Sequence, residues 1–217
     1  MSSLRRFILY LEPSPTSSIF NRLDAFITMT LSRFGPNSAQ RYHPHCTITG
    51  FFDVTPSNSD PTLACTTATM VQALDDAIQK RLPFPPPRLT GFIRRKQAPG
   101  ELLVGLKAPL VYHEVMDALV EAATGSEVGA HVRKKNINHI SLALYPEKGE
   151  GSLAPEVMEE MERIARETVN LEKEETEMTE WDVVLYEKVE SAEAPGTRYL
   201  FDEVKRWRVT RRGEDEI

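Results

Sequence analysis

Two short stretches carry the residues best suited to chemistry: His45-Cys46-Thr47-Ile48-Thr49 and Asn138-His139-Ile140-Ser141-Leu142. In each, a hydroxyl residue follows a histidine by two positions, and mainly apolar residues fill the alternate places. Extended chains send successive side chains to opposite faces, so His45, Thr47 and Thr49 are expected on one face and Cys46 and Ile48 on the other. By the same rule His139 and Ser141 share a face, with Ile140, Leu142 and Leu144 packed behind them. An imidazole titrating near ~6.5 gives or takes a proton near neutral pH. Two of them can divide the work of opening a cyclic phosphodiester. One takes a proton from the attacking water, and the other protonates the departing ribose oxygen. The hydroxyls of Thr47 and Ser141 can donate to the non-bridging oxygens, where negative charge gathers. Such a set is complete without a metal ion or cofactor.

A single His-x-Thr in a strand is more often structural than catalytic, and it is the repetition that points to a site. A zinc centre built from His43, His45 and either His139 or His131 is the competing arrangement. It leaves both hydroxyls without a role. Tyr10, Phe51 and Tyr145 are candidates to stack on a base, and Arg41 is a candidate phosphate contact. Arg133-Lys134-Lys135 and Arg94-Arg95-Lys96 are either phosphate-attracting or simply solvated charge runs. His113 reads as a surface residue of a helix.

The elements that must position these residues follow from local pattern. Phe7 to Leu11 reads as a strand, and Ser14 to Ser18 supplies turn and cap residues for a helix over 18–34 that Gly35-Pro36-Asn37 ends. His45 to Phe52 reads as a strand, and 62–81 as a helix with Met70, Leu74 and Ile78 one turn apart. Pro83 to Pro87 must be extended and is the expected crossover between two lobes. Strands over 88–95 and 101–106 are joined by a turn at Ala98-Pro99-Gly100. Pro109 opens a helix with an apolar stripe at Val111, Val115, Leu119 and Ala122. A strand over 136–145 bears the second motif, Pro155 opens a helix to about 168, and 176–189 and 198–209 read as closing strands. Interleaved helices and hairpin-paired strands make an α+β class.

The chain has 217 residues, enough for one compact unit of two lobes, with a charged tail over 211–217. With 41% hydrophobic and 27% charged residues, the composition is that of a globular chain without a membrane segment. The expected location is cytoplasmic or nuclear, and the expected state a monomer. Cys46 and Cys65 are the only cysteines, too few for a disulfide framework. A net charge of -6 argues against a broad footprint on long nucleic acid but leaves room for a small phosphorylated ligand in a locally basic pocket.

At both motifs the sequence resembles the two-histidine phosphoesterase superfamily, whose members carry a His-x-Thr/Ser motif in each of two similar lobes. Pro44-His45-Cys46-Thr47-Ile48-Thr49-Gly50, and His139-Ile140-Ser141-Leu142 with a following Tyr145, look most like its plant and fungal cyclic phosphodiesterase branch. The strand ending at Tyr10 to Pro13 is similar too, although Tyr145 comes one residue later than the pattern places its tyrosine. The resemblance spans about Arg6 to Val209. It implies a bilobal α+β fold of antiparallel sheets and helices around a central cleft, with His45 and His139 as acid and base and Thr47 and Ser141 as phosphate ligands. It also implies a substrate: a 2′,3′-cyclic nucleotide, ADP-ribose 1″,2″-cyclic phosphate, or an RNA 3′ end. The alternatives are an RNA-processing 3′-end exonuclease, a 2′-5′ phosphodiesterase, or a non-catalytic RNA- or nucleotide-binding module.

Overall fold

The computed structural model describes residues 4–57, 59–95, 100–125, 130–146, 151–171, 179–190 and 196–210. In chain order its elements are β1 (Arg5–Pro13), α1 (Ser18–Phe34), a short 3-10 turn (Ser38–Arg41), β2 (Cys46–Thr47), β3 (Phe52–Val54), α2 (Ala64–Gln79), β4 (Arg88–Arg94), β5 (Glu101–Lys107), α3 (Leu110–Thr124), β6 (His139–Leu144), α4 (Pro155–Val169), β7 (Trp181–Glu190) and β8 (Leu200–Arg208). Helix α1 starts where the Ser17 hydroxyl accepts from the Phe20 amide, and it stops at Gly35, whose φ of 81° a side chain would disfavour.

Among the described residues all strand pairs are antiparallel and form two sheets. One has the order β2-β1-β7-β8, with β3 also paired to β1, and the other has the order β4-β5-β6. The class is α+β. The run Phe7 to Leu11 lacks polar alternation because both faces of β1 are covered. Phe7, Leu9 and Leu11 join Ile19, Leu23 and Phe26 of α1 in the main core, which continues to Val104, Ile140 and Leu142 of the second sheet. Ile8 and Tyr10 face the other way, forming with Val184 and Tyr186 a second apolar cluster under Tyr42, Phe51 and Phe201.

The proline-rich stretch lies between α2 and β4, where the chain leaves one sheet for the other. It is tied down by buried Phe84, whose amide donates to the Val209 carbonyl at 2.7 Å. The buried stripe of α3 is Tyr112, Val115, Met116, Leu119 and Ala123, so it begins one residue after Val111 and ends one residue after Ala122. The expected strand over 45–52 is interrupted after Thr47. The amides of Ile48 and Thr49 both donate to the Leu9 carbonyl, and the chain then changes partners: the Gly50 amide donates to the Arg133 carbonyl at 2.8 Å and the Lys135 amide to the Ile48 carbonyl at 3.1 Å. Lys96, Ala98 and Pro99, the expected start of a strand at 176–178, and the tail 211–217 lie outside the described residues. Among the described residues no helix is long and apolar enough to cross a membrane.

Candidate active site

His45 stands immediately before β2, and the β1–β2 register sets Tyr10 opposite Thr47. Tyr10 and His45 therefore meet on one side of the sheet, with ring centroids 3.8 Å apart. Two further contacts fix the imidazole. Its Nδ1–H donates to the His43 carbonyl at 2.8 Å, which leaves Nε2 to accept from the Thr47 hydroxyl at 3.2 Å. Burial, then neighbouring His43, lowers the His45 pKa from its ordinary 6.5 to about 4, with His139 adding a smaller push in the same direction. At neutral pH His45 is thus uncharged, with a lone pair on Nε2.

Thr49 does not share the face of His45 and Thr47. Its side chain is fully buried, and its hydroxyl accepts from the Leu9 amide at 3.1 Å. The double donation to Leu9 described above breaks the alternation at this point.

On β6, His139 and Ser141 stand opposite Gly105 and Leu103 of β5 in regular register, so they face the same way. A bulge then intervenes, because Leu103 pairs with Ser141 but Leu102 with Ala143. This shift of phase turns Leu144 out of the core, where the alternation had placed it, and toward the Ser141 side. It turns Tyr145 inward instead. Tyr145 is buried, its hydroxyl donates to the Gly35 carbonyl, and it accepts from the Asn37 amide nitrogen, both at 3.2 Å. It joins the end of β6 to the end of α1 and does not line the cleft.

The segment switch at 48–50 brings the two motifs together. Cys46, buried in β2, has its thiol beside the backbone amides of His139 and Asn138, although burial still pushes its pKa up to about 12. A cavity of about 330 Å³ is lined by His45 and Thr47 of the first motif and Ser141 of the second, with Tyr10, Phe51, Arg133 and Lys135. His139 is half-buried and does not itself line this cavity. Its Nδ1–H donates to the Asn138 side-chain oxygen at 2.6 Å, which leaves Nε2 outside that bond. Burial first, then Arg95 and Lys135, lowers the His139 pKa.

Arg133 and Lys135 have no acidic partner among the described residues, whereas Lys134 between them pairs with Asp117. Gly50 keeps room for Arg133, since a Cβ there would stand 3.2 Å from its Nε. Arg41 does not reach the cavity lining. Its guanidinium donates to the Tyr199 hydroxyl at 2.9 Å and covers that ring. Phe51 stacks on Phe201, their planes 6° apart, and Tyr42 lies 5.4 Å from His45 and 5.2 Å from Tyr199. Of this aromatic wall only Phe51 is expected from the sequence; Tyr42, Tyr199 and Phe201, with the Lys188 ammonium 3.9 Å from the Tyr199 ring centroid, are not. The available signal was the spacing of Tyr199 and Phe201 by two at the start of β8. The zinc alternative finds no support in the geometry: His43 bonds Glu12, His45 bonds a carbonyl, and among the described residues no three potential ligands converge.

The path of the chain matches solved structures of E. coli LigT. The form complexed with 3′-AMP aligns with a TM-score of 0.50 and 13% identity, covering 96% of this chain and 100% of that one. The apo form gives 0.50 and 15%, covering 97% and 100%. The fold is the two-histidine phosphoesterase fold. No family model and no curated protein matches the sequence. Within the two-histidine phosphoesterase fold of this chain, β2 with the residue just before it, and β6 of the other sheet, carry the two His-x-Thr/Ser motifs.

Proposed function

We propose that the chain is a two-histidine phosphoesterase that hydrolyses 2′,3′-type cyclic phosphodiesters of small nucleotides, or of ADP-ribose 1″,2″-cyclic phosphate, to phosphomonoesters. The observation that carries this reading is the cavity to which His45 and Thr47 of one sheet and Ser141 of the other all contribute. In the proposed reaction Nε2 of His45 takes a proton from water as the water oxygen bonds to phosphorus. The bond from phosphorus to one ribose oxygen breaks, and protonated His139 delivers its Nε2 proton to that oxygen. His45 is the base because its tautomer and its low proton affinity leave Nε2 unprotonated at neutral pH, where water can replace the Thr47 hydroxyl as its donor. Thr47, Ser141, Arg133 and Lys135 hold the non-bridging oxygens, whose charge is stabilised by donors already in place.

A small substrate is favoured over a long strand. The cavity is at the lower end of the range for small-ligand sites, and the net charge of -6 opposes extended phosphate binding. Phe51 and Tyr42 offer ring faces for the base, and LigT, with the same fold, has been crystallised with 3′-AMP. Incubation with nucleoside 2′,3′-cyclic phosphates in EDTA tests the proposal. Turnover to a monophosphate supports it, and no turnover, or turnover abolished by the chelator, overturns it.

A further inference from the structure

Behind His45 lies a chain of polar contacts that the reaction above does not use. Glu12, at the end of β1, is fully buried on the face of the sheet that carries Tyr10. One of its carboxylate oxygens bonds Nε2 of His43. The other accepts from the Tyr186 hydroxyl at 3.3 Å and from Arg206 at 3.2 Å. Arg206 also donates to Asp182 at 3.0 Å and to the Tyr186 hydroxyl at 2.8 Å, and Arg208 donates to Asp182 at 2.5 Å. Two buried acids from neighbouring strands are thus held by two arginines of the next strand; the arginines also reach Glu203, Glu180 and Ser14, and the contact from Glu12 to His43 is the one that runs toward His45.

Buried ion pairs are poor devices for stability, because apolar residues of similar volume often do as well or better. Their best-attested use is to select one arrangement among several. Here the arrangement selected is that of residue 43, whose ring is anchored by Glu12 and whose carbonyl oxygen holds Nδ1 of His45. We propose that Glu12 and His43 are positioning residues that hold His45 in its Nδ1–H tautomer, with Nε2 directed at Thr47 and the cleft. His43 acts through its backbone and not by contact with the reacting phosphorus. The inference deepens the proposed function and rests on His45 being the base.

The experiment uses the full chain labelled with ¹⁵N-histidine, the variants His43→Ala and His43→Gln, and 2′,3′-cyclic AMP as substrate. His43→Gln retains a side-chain N–H able to reach Glu12, whereas His43→Ala does not. In the wild type the His45 ring nitrogens show a single Nδ1–H tautomer. In His43→Ala they show a mixture of tautomers, and kcat falls roughly 10-fold to 10²-fold with KM little changed, the scale expected of a misplaced catalytic group. His43→Gln restores both the tautomer and most of the rate. A His43→Ala protein that keeps the single tautomer and the wild-type kcat overturns the inference, as does one in which glutamine restores neither. If the wild type turns over no phosphodiester, the proposed function fails, and the nitrogen spectra still decide whether His43 sets the His45 tautomer.

Discussion

The ring of Tyr10 lies 3.8 Å from the ring of His45, centroid to centroid, and this contact places the base of the proposed reaction against apolar surface. Desolvation disfavours the imidazolium, and with His43 nearby it brings His45 to about 4. His139 is lowered too, first by burial and then by the cations Arg95 and Lys135.

These shifts fix the sign of the pH dependence. The base must be unprotonated, so kcat/KM rises as pH climbs through about 4. The acid must be protonated, so kcat/KM falls as pH climbs through the His139 value, which lies below the ordinary 6.5. The optimum is expected on the acid side of neutrality. Replacement of Arg95 by alanine removes a cation that lowers His139, and the basic limb should move to higher pH. A pH–rate series on both proteins measures this.

Stability follows the same group with its own sign. Between about pH 4 and 6.5 the unfolded chain protonates His45 while the folded chain does not, so folding stability falls as pH drops through that window. Denaturant titrations at several pH values should show this slope reduced in His45→Gln.

The phosphate hydroxyls and the aromatic wall separate by kinetic signature. Thr47→Ala and Ser141→Ala should each lower kcat on the order of 10²-fold, since each removes a donor to the developing charge. Phe51→Ala and Tyr42→Ala should act mainly on KM, raising it about tenfold, as expected for the loss of a base-stacking face worth ~1–3 kcal/mol. Steady-state kinetics on a cyclic nucleotide distinguishes the two classes.

Asn37 is a structural keystone under the cleft. Its oxygen accepts from the amides of Ala39 and Leu144, and its nitrogen donates to Thr30 and Tyr145. Asn37→Ala should cost about 1–3 kcal/mol of stability, because it strands buried polar partners, and a thermal or denaturant melt reads the loss.

Much of this arrangement was legible in the sequence, for reasons that differ by residue. Helix α1 was readable to its ends because Ser17 and Gly35 are local signals of capping and termination. The two motifs were readable because alternation is also local. Thr49, Leu144 and Tyr145 departed from alternation because a bulge or a change of partner depends on strands that meet only in the folded chain. Nothing local in the sequence singles out Glu12. Its burial makes sense only beside Arg206, 194 residues away. The aromatic wall beyond Phe51 was hidden for the same reason, since Tyr42 and Tyr199 meet only in the folded chain.

The central claim is that His45 and His139 act together on one phosphorus atom. The most direct test is kcat/KM for His45→Ala, His139→Ala and the double variant on a 2′,3′-cyclic nucleotide. Each single change should lower the rate by roughly 10² to 10⁴, and the double variant should be little worse than either, as for residues that work as a unit. Single variants with wild-type rates, or a double variant whose loss is the product of the two, would contradict the account.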